Sequence, residues 1–326
     1  MESALVIGNG QIGSEIAAQL SAAGLSVRIA TRSGGRNPAP VGARTAEATP
    51  PVTQPPASTP GHTTPVHIKA DASDRDQLAR AAEGVDAIFA CAHAPYDSRI
   101  WEEVLPRLDA AVLDTAAELD IPVVFPESVY AFAGLSTPIT ETSPFAPVED
   151  KGRIRRRLLE ARAAHSAASA SVIAGDLLGR SADTWSSVVR MCITEPISKG
   201  RRAVVPARTD VAHGITVIAD HAAAMIRAAE RIENVPAGTH RLLIAPASNP
   251  TLGEIAECTS TLLGQKPKRP ISVPRWVTRS AGVAERSFFE LSRLAPIWYS
   301  PCVIAPGDLA AEVGTTDWRE GVAQML

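Results

Sequence analysis

Short apolar runs alternate with longer amphipathic stretches along the first half of the chain. The runs have the length and composition of buried strands, and the stretches have the apolar spacing of helices. The runs are 4–7, 25–30, 66–71, 85–92 and 121–125, and the helical patterns are 14–23, 74–82, 99–119 and 152–165. Repeated strand–helix units predict a parallel sheet with helices on both faces. The pattern therefore predicts an α/β protein with a doubly wound sheet, in which ligands bind at the carboxyl ends of the strands.

A glycine-rich turn joins the first predicted strand to the first predicted helix. Its sequence is Gly8-Asn9-Gly10-Gln11-Ile12-Gly13. In a dinucleotide-binding loop the first glycine permits the sharp turn, the second lets the backbone approach a pyrophosphate, and the third lets the helix pack close to the sheet. The free N–H groups at the helix start then face the anion. We interpret this segment as a dinucleotide-binding loop, and the alternative is a tight turn that binds nothing.

The end of the second strand bears on which dinucleotide is bound. The strand ends in Thr31-Arg32-Ser33, without a carboxylate. An NAD site usually has an Asp or Glu here to accept hydrogen bonds from the ribose, whereas an Arg pairs with the 2′-phosphate of NADP. The sequence favours NADP over NAD. The alternative for Arg32 is a solvated loop charge.

Two further strand ends are expected to border the cofactor. Asp71 follows the third strand and is placed near the adenine, and Ala92-His93-Ala94 follows the fourth. For His93 a catalytic role and a hydrogen-bonded structural role both remain open, because an imidazole serves either.

A proline-rich insertion, residues 34–65, separates the second strand from the third. Seven prolines lie between residues 38 and 60, too close together for a helix. Long connections of this kind are usually mobile or functional. The two hypotheses are a disordered excursion and a flap over the adenosine end of the cofactor.

Composition narrows the classes of protein and partner. A chain of 326 residues that is 45% hydrophobic is long enough for a large domain with a smaller lobe. We predict a dinucleotide-binding core over residues 1–176 and a mixed segment over 177–326 that completes the sheet and forms a substrate lobe. The formal net charge of −3 gives no general attraction to nucleic acid or to an anionic membrane.

The cysteines and the apolar runs add expectations about location. Cys91, Cys192, Cys258 and Cys302 are far apart, without the paired spacing of a zinc or redox site. We expect buried thiols and no metal. No uninterrupted apolar stretch approaches the length of a membrane span or resembles a signal peptide, so the prediction is a cytoplasmic protein.

Several segments resemble one known family in order and spacing. Residues 125–132, Phe-Pro-Glu-Ser-Val-Tyr-Ala-Phe, resemble the Ser-Ser-x-x-Val-Tyr-Gly stretch of extended short-chain dehydrogenases/reductases, the NAD-dependent epimerase/dehydratase group. Segments 174–179, 213–224, 250–255 and 314–323 extend the resemblance over essentially the whole chain. It implies a Rossmann-type sheet, a nicotinamide cofactor and a C-terminal substrate lobe. It also implies that Ser128 stands at the position of the catalytic Ser or Thr.

Two departures from the family pattern bear on activity. The glycine motif is one residue shorter than the family's Gly-x-x-Gly-x-x-Gly. The family's Tyr-x-x-x-Lys dyad, in which the tyrosine exchanges a proton and the lysine binds the nicotinamide ribose, aligns with Lys151 and Arg155. Arg155 retains hydrogen-bond donors for ribose hydroxyls but supplies no titrating proton near neutral pH.

The catalytic candidates are therefore Ser128, Tyr130 and Lys151. Ser128 has a hydroxyl suited to bonding a substrate carbonyl. Lys151 lies one helical turn from Arg155, where like-charge repulsion and desolvation ease proton release. Its alternative is a solvated residue in a basic run. Tyr130 either points into the cleft or packs under the nicotinamide.

These observations predict an NADP-dependent oxidoreductase or epimerase-like enzyme acting on a carbonyl or hydroxyl small molecule. The alternative is a non-catalytic NADP-binding regulator or redox-sensing module that has lost the dyad. In the family, helices corresponding to 99–119 and 152–165 often form a two-fold dimer, so a homodimer is a further expectation.

Overall fold

A parallel sheet lies at the centre of the molecule. The computed structural model describes residues 1–35, 63–277 and 293–326. The sheet contains β1 (Ser3–Ile7), β2 (Ser26–Thr31), β3 (Val66–Lys69), β4 (Ala87–Ala90), β5 (Val123–Ser128), β6 (Ser169–Ala174) and β10 (His240–Ile244). These seven strands lie in the order β10–β6–β5–β4–β1–β2–β3, and every neighbouring pair is parallel. The predicted doubly wound α/β sheet is confirmed.

Helices cover both faces of this sheet. The main helices are α1 (Gln11–Ala22), α2 (Arg75–Ala82), α3 (Ser98–Leu119), α4 (Asp150–Ala164) and α6 (Ile218–Ile232). On one face α1 and α6 pack together through Ile16, Leu20 and Met225. On the other face α2 and α3 cover the sheet through Leu78 and Val112, and α4 packs beside α3. The central strands β1, β4, β5 and β6 are buried on both sides, which explains their nearly continuous apolar sequence.

The C-terminal part of the chain contributes to the sheet and to a smaller region beside it. The smaller region has two short parallel pairs, β7 (Asp176–Leu178) with β9 (Ile215–Val217), and β8 (Val204–Val205) with β11 (Ile271–Ser272). It also contains α5 (Glu195–Ser198), α7 (Leu252–Leu262) and two short helices at Ala295–Trp298 and Trp318–Ala323, whereas the short helix Asp308–Val313 packs against α6 and β10. Buried side chains that include Phe132, Ile193 and Trp298 form the core of the smaller region.

Two elements near the candidate site, β5 and α4, have boundaries that differ from the sequence prediction. The fifth strand was predicted to end at Phe125, but β5 continues to Ser128 because residues 123–128 pair with all of β6. A 3₁₀ turn, Val129–Phe132, follows directly. Helix α4 begins at Asp150, so Lys151 lies in its first turn. The segment around Ser128 therefore lies at the carboxyl end of the sheet, and the segment around Lys151 lies beside it.

Some earlier expectations fall outside the described residues. Most of the proline-rich insertion, residues 36–62, lies there, and the flap hypothesis lies there with it. Within the described ranges no helix is long and apolar enough to cross a membrane. All four cysteines are free; Cys192 is buried, and the other three are partly buried.

Candidate active site

The glycine loop is tightly packed on its protein side and open at its centre. Gly8 has φ +95°, and a Cβ there would lie 2.8 Å from the backbone nitrogen of Ala92. A Cβ on Gly13 would lie 2.1 Å from the carbonyl oxygen of Gly8. At Gly10, by contrast, a Cβ would meet no protein atom within 4 Å. Glycine is required for packing at the outer positions, and the middle position faces space that a ligand can approach.

Helix α1 presents its amino terminus beside this space. The helix begins at Gln11, and its N-cap Gly10 has no side chain to cap the first turn. The backbone N–H groups of such a terminus form an anion site. The side chain of Gln11 serves a different contact, because its Oε1 accepts a hydrogen bond from the backbone N–H of Asp183 at 2.9 Å. Gln11 thus joins the loop to the smaller region.

The segment after β2 forms a turn with two exposed side chains. The hydroxyl of Thr31 accepts a hydrogen bond from the backbone N–H of Gly34 at 3.1 Å. Arg32 and Ser33 are exposed. Of the residues predicted to bind the adenosine end, Thr31 therefore stabilises the turn, and Arg32 and Ser33 face solvent.

Asp71, predicted near the adenine, closes a local turn after β3. Its Oδ1 accepts hydrogen bonds from the Ser73 backbone N–H at 3.0 Å and the Ser73 hydroxyl at 2.7 Å. These bonds lower the pKa of Asp71, and the charge of Arg32 lowers it further. Asp71 and Arg32 are thus electrostatically coupled at the edge where the adenosine end is expected.

Trp101 organises the cleft beyond β4 and β5. It lies in the first turn of α3, is 2% exposed, and donates from Nε1 to the carbonyl oxygen of Pro95 at 2.9 Å. Its ring contacts a set of aromatic and basic side chains whose chemistry matters for the site. These are His93 and Tyr96 at centroid distances of 4.7 and 5.5 Å, Tyr130 at 6.2 Å, Lys151 Nζ at 5.5 Å and Arg155 Cζ at 4.9 Å.

A pair of tyrosines faces this cleft. The hydroxyls of Tyr96 and Tyr130 lie 3.1 Å apart and share a hydrogen bond. Burial raises the pKa of Tyr130 to about 12. Desolvation and the nearby carboxylates of Glu149 and Asp176 raise the pKa of Tyr96, although 45% of the residue is exposed. Both phenols are protonated at neutral pH.

Lys151 lies behind Tyr96. The residue is completely buried, and Nζ lies 4.2 Å from the centroid of the Tyr96 ring. This distance is that of a cation–π contact. Lys151 is thus not the solvated surface residue that its basic neighbours suggested.

Arg155 lies deeper in the same cleft. Its Nη2 lies 2.5 Å from Nε2 of His93. His93 Nδ1 lies 2.7 Å from the carbonyl oxygen of Ala94, which makes Nδ1 the donor and leaves Nε2 to accept from Arg155. Desolvation and the adjacent Arg155 charge lower the pKa of His93. His93 is therefore a neutral partner of Arg155.

A buried ionic network lies under Arg155 and Ser128. Glu127 accepts from the backbone N–H of Ser128 at 2.8 Å, and its carboxylate lies 3.5 Å from Nε of Arg155. Its second oxygen lies 2.9 Å from Arg162, which also pairs with Asp109 at 2.7 Å. The Ser128 hydroxyl lies 3.3 Å from Glu127, within the same network. A buried network of this kind fixes geometry when all its charges are paired.

The structure brings most of the predicted catalytic residues to one cleft, and it adds others. Tyr130, Lys151, Arg155 and His93 all contact Trp101. Sequence reasoning missed Tyr96, Trp101, Glu127 and Arg162. Tyr96 lies two residues after the Ala92-His93-Ala94 segment that follows β4, so its position was a usable signal. Arg162 and Glu127 are far apart in sequence, and nothing local predicts their pairing. No group of three or more His, Cys, Asp or Glu side chains capable of holding a metal occurs within the described ranges.

Comparisons with known proteins identify the family. The sequence profile of the NAD dependent epimerase/dehydratase family matches residues 4–243. The chain therefore belongs to this family. Curated protein sequences give no match.

Solved structures share the fold at low sequence identity. They include the dTDP-glucose 4,6-dehydratase DesIV of Streptomyces venezuelae with NAD and DAU bound, which is 16% identical with TM-score 0.69, covering 99% of this chain and 95% of that chain. UDP-glucose 4-epimerase of Thermotoga maritima with UDP-glucose is 14% identical with TM-score 0.68, covering 99% and 97%. Bordetella bronchiseptica WbmG with NAD and UDP is 15% identical with TM-score 0.68, covering 99% and 93%.

The glycine loop fits the dinucleotide that the family name implies. The open side of Gly10 and the uncapped start of α1 offer backbone N–H groups to a pyrophosphate, and the tight packing of Gly8 and Gly13 fixes the loop. The cleft around Trp101 lies beyond β4, which neighbours β1 in the sheet, and β5, which neighbours β4. A dinucleotide on the loop and a small molecule in the cleft would thus be neighbours.

Proposed function

We propose that this chain is an NAD(P)-dependent oxidoreductase acting on a carbonyl or hydroxyl group of a small molecule. The observation that carries the proposal is the open backbone at Gly10 beside a cleft lined by hydroxyl and basic side chains. A bound nicotinamide supplies the hydride and its electron pair. The protein's part is to orient the two reactants and to hold or move a proton.

Ser128, Tyr130 and Lys151 remain the catalytic candidates from the sequence. We propose that the Ser128 hydroxyl polarises the reacting oxygen, since β5 places it at the carboxyl end of the sheet. Tyr130 contributes a phenol within the cleft, and Lys151 contributes a buried cation beside it. Arg155 is proposed to face the cofactor ribose while Glu127 and His93 fix its guanidinium.

The protonation of the phenols favours reduction over oxidation. Reduction of a carbonyl requires a proton donor, and oxidation of an alcohol requires a base. The pKa of both Tyr96 and Tyr130 is raised, so the cleft holds phenols in the neutral donor form at physiological pH. We therefore propose carbonyl reduction as the direction that this cleft supports best.

NADP is proposed as the preferred dinucleotide. Arg32 is exposed directly after β2, and the adjoining residues Thr31 and Ser33 bring no carboxylate. An exposed guanidinium can pair with a 2′-phosphate. DesIV and WbmG, named above, were solved with NAD, so the preference is a property to be measured on this chain. Replacement of Arg32 by Asp is expected to weaken NADPH binding and strengthen NADH binding, and unchanged affinities for both would refute the assignment.

The first experiment separates binding from chemistry. NADPH and NADH are titrated into the purified protein, and the same sample is screened for cofactor oxidation with aldehydes, ketones and nucleotide sugars. UDP- and dTDP-linked keto sugars belong in the panel because relatives of this fold were solved with UDP, UDP-glucose or DAU. Binding with turnover supports the reductase. No binding of either dinucleotide refutes the interpretation of the glycine loop.

A second candidate function is a dinucleotide-responsive regulator. It is favoured by Lys151 and Arg155 at the positions of the family's dyad, since both side chains are buried and contact protein groups. Tight NADPH binding without turnover across the panel, together with cofactor-dependent binding of a partner, would support it.

A further inference from the structure

We propose that Tyr96 is the proton donor of the reaction, replacing the tyrosine that helix α4 lacks. The inference rests on the proposed function, because it assigns a catalytic residue to the same cleft. Lys151 occupies the dyad's tyrosine position, and its Nζ lies 4.2 Å from the centroid of the Tyr96 ring. The phenol thus comes from the segment after β4 instead of from α4, while a lysine still lies beside it.

Exposure distinguishes Tyr96 from the other candidates. Tyr96 is 45% exposed, whereas Lys151 is completely buried. Tyr130 is only partly exposed and lies 3.1 Å behind the Tyr96 hydroxyl. A substrate entering the cleft from solvent therefore reaches Tyr96 first. Lys151 and Tyr130 act through Tyr96 and are positioning residues.

The packing of Tyr96 fixes the direction of its hydroxyl. The Trp101 ring meets Tyr96 edge-on at a centroid distance of 5.5 Å, and Lys151 lies over the ring face. The Tyr130 hydroxyl completes the arrangement. A phenol held by contacts on its ring and its oxygen loses less entropy when it bonds the reacting group.

The proton balance of the step is simple. As hydride with its electron pair adds to the carbonyl carbon, the C–O π electrons move to oxygen, and the Tyr96 O–H proton passes to that oxygen. The Tyr96 oxygen then carries the negative charge. Tyr130 stabilises it by donating its hydroxyl hydrogen bond, and Lys151 by its positive charge. Solvent returns the proton to exposed Tyr96 after the product leaves.

The charged and titratable groups around Tyr96 set its acid–base behaviour. They are Tyr130 on the 3₁₀ turn, Lys151 and Glu149 at the start of α4, and Asp176 on β7. Desolvation and the two carboxylates raise the pKa of Tyr96. Reduction is therefore expected to be independent of pH through the neutral range and to fall only in alkali.

The test exploits the small number of tyrosines, since the chain has three. Tyr96→Phe is compared with Tyr299→Phe, whose hydroxyl donates to the carbonyl oxygen of Val273 in the smaller region. We expect Tyr96→Phe to slow single-turnover NADPH oxidation by about 100-fold or more, with NADPH affinity unchanged. Tyr299→Phe is expected to retain the wild-type rate.

Tyr130→Phe supplies a readout that does not depend on turnover. Loss of the Tyr130 hydroxyl removes the hydrogen bond that stabilises the Tyr96 phenolate, so it should raise the pKa of Tyr96, seen as tyrosinate absorbance at higher pH in the cofactor-free protein. The alkaline fall of the reduction rate should move in the same direction. Wild-type turnover in Tyr96→Phe would overturn the assignment of Tyr96 alone. Binding of NADPH without any turnover by the wild-type protein would overturn the proposed enzyme and this assignment together.

Discussion

The glycines of the loop after β1 have different structural roles, and single substitutions can distinguish these roles. At Gly10 an alanine Cβ meets no protein atom, so Gly10→Ala should cost less than about 1 kcal/mol in stability. The same Cβ occupies the open side of the loop, so dinucleotide affinity should fall at least about tenfold. At Gly13 the added Cβ would lie 2.1 Å from the Gly8 carbonyl oxygen, so Gly13→Ala should lower Tm as well as affinity.

Thermal unfolding and dinucleotide titration of both variants check this prediction. Helix propensity alone would make Gly13→Ala stabilising by about 1 kcal/mol, so a raised Tm would show that the close approach to Gly8 is not real. Wild-type affinity in Gly10→Ala would show that no ligand approaches the loop there.

Among the individual elements, helix α4 is capped at its start by one carboxylate, that of Glu149. Glu149 accepts hydrogen bonds from the backbone N–H groups of Lys151, at 2.8 Å, and Gly152, at 2.5 Å. Glu149→Ala should therefore cost about 1 kcal/mol and loosen the first turn, which carries Lys151. Glu149→Gln keeps an acceptor and is the matched control. Urea unfolding measures the cost, and equal stability of the alanine and glutamine variants would contradict the capping role.

The same element shows what a sequence can and cannot predict. The apolar pattern of α4 and the strands beside it was readable because each face repeats locally. The fifth strand was predicted to end three residues too early because Pro126 interrupts its apolar run, yet Pro126 pairs with Val172 of β6. The site depends on contacts of another kind. Arg162 with Glu127, and Tyr96 with Lys151, join segments far apart in sequence, and no local periodicity encodes such pairs.

At the scale of the whole molecule, a homodimer through α3 and α4 is predicted from the family resemblance. Ile100 and Val104, one turn apart on α3, are 36% and 38% exposed. The acidic residues Glu102 and Asp109 of α3 already pair with Arg157 and Arg162 of the same chain. Apolar contacts must therefore drive association. Light scattering should give twice 34.3 kDa, and Val104→Glu should give a monomer, whereas Val66→Glu at the sheet edge should not.

Buried titratable groups make the stability of the whole molecule depend on pH. Desolvation lowers the pKa of His213, His221 and His240 to about 4. Below pH 6.5 the unfolded chain binds protons that these folded histidines do not, so the free energy of unfolding should fall as pH drops from about 6.5 to about 4. Asp176 acts oppositely, because desolvation raises its folded pKa to about 6, above the unfolded value near 3.8.

Two substitutions separate these opposing contributions. His221→Gln removes one histidine and should reduce the slope of stability against pH by about 1.4 kcal/mol per pH unit between pH 4 and 6.5. Asp176→Asn keeps an acceptor for the Val189 N–H, 3.1 Å away, and removes the opposing carboxylate. It should steepen the slope between pH 4 and 6 and stabilise the protein at neutral pH. Urea unfolding at several pH values measures both effects. A wild-type slope in His221→Gln would mean that His221 takes up a proton in the folded protein, despite its burial and its contact with the carbonyl oxygen of Val172.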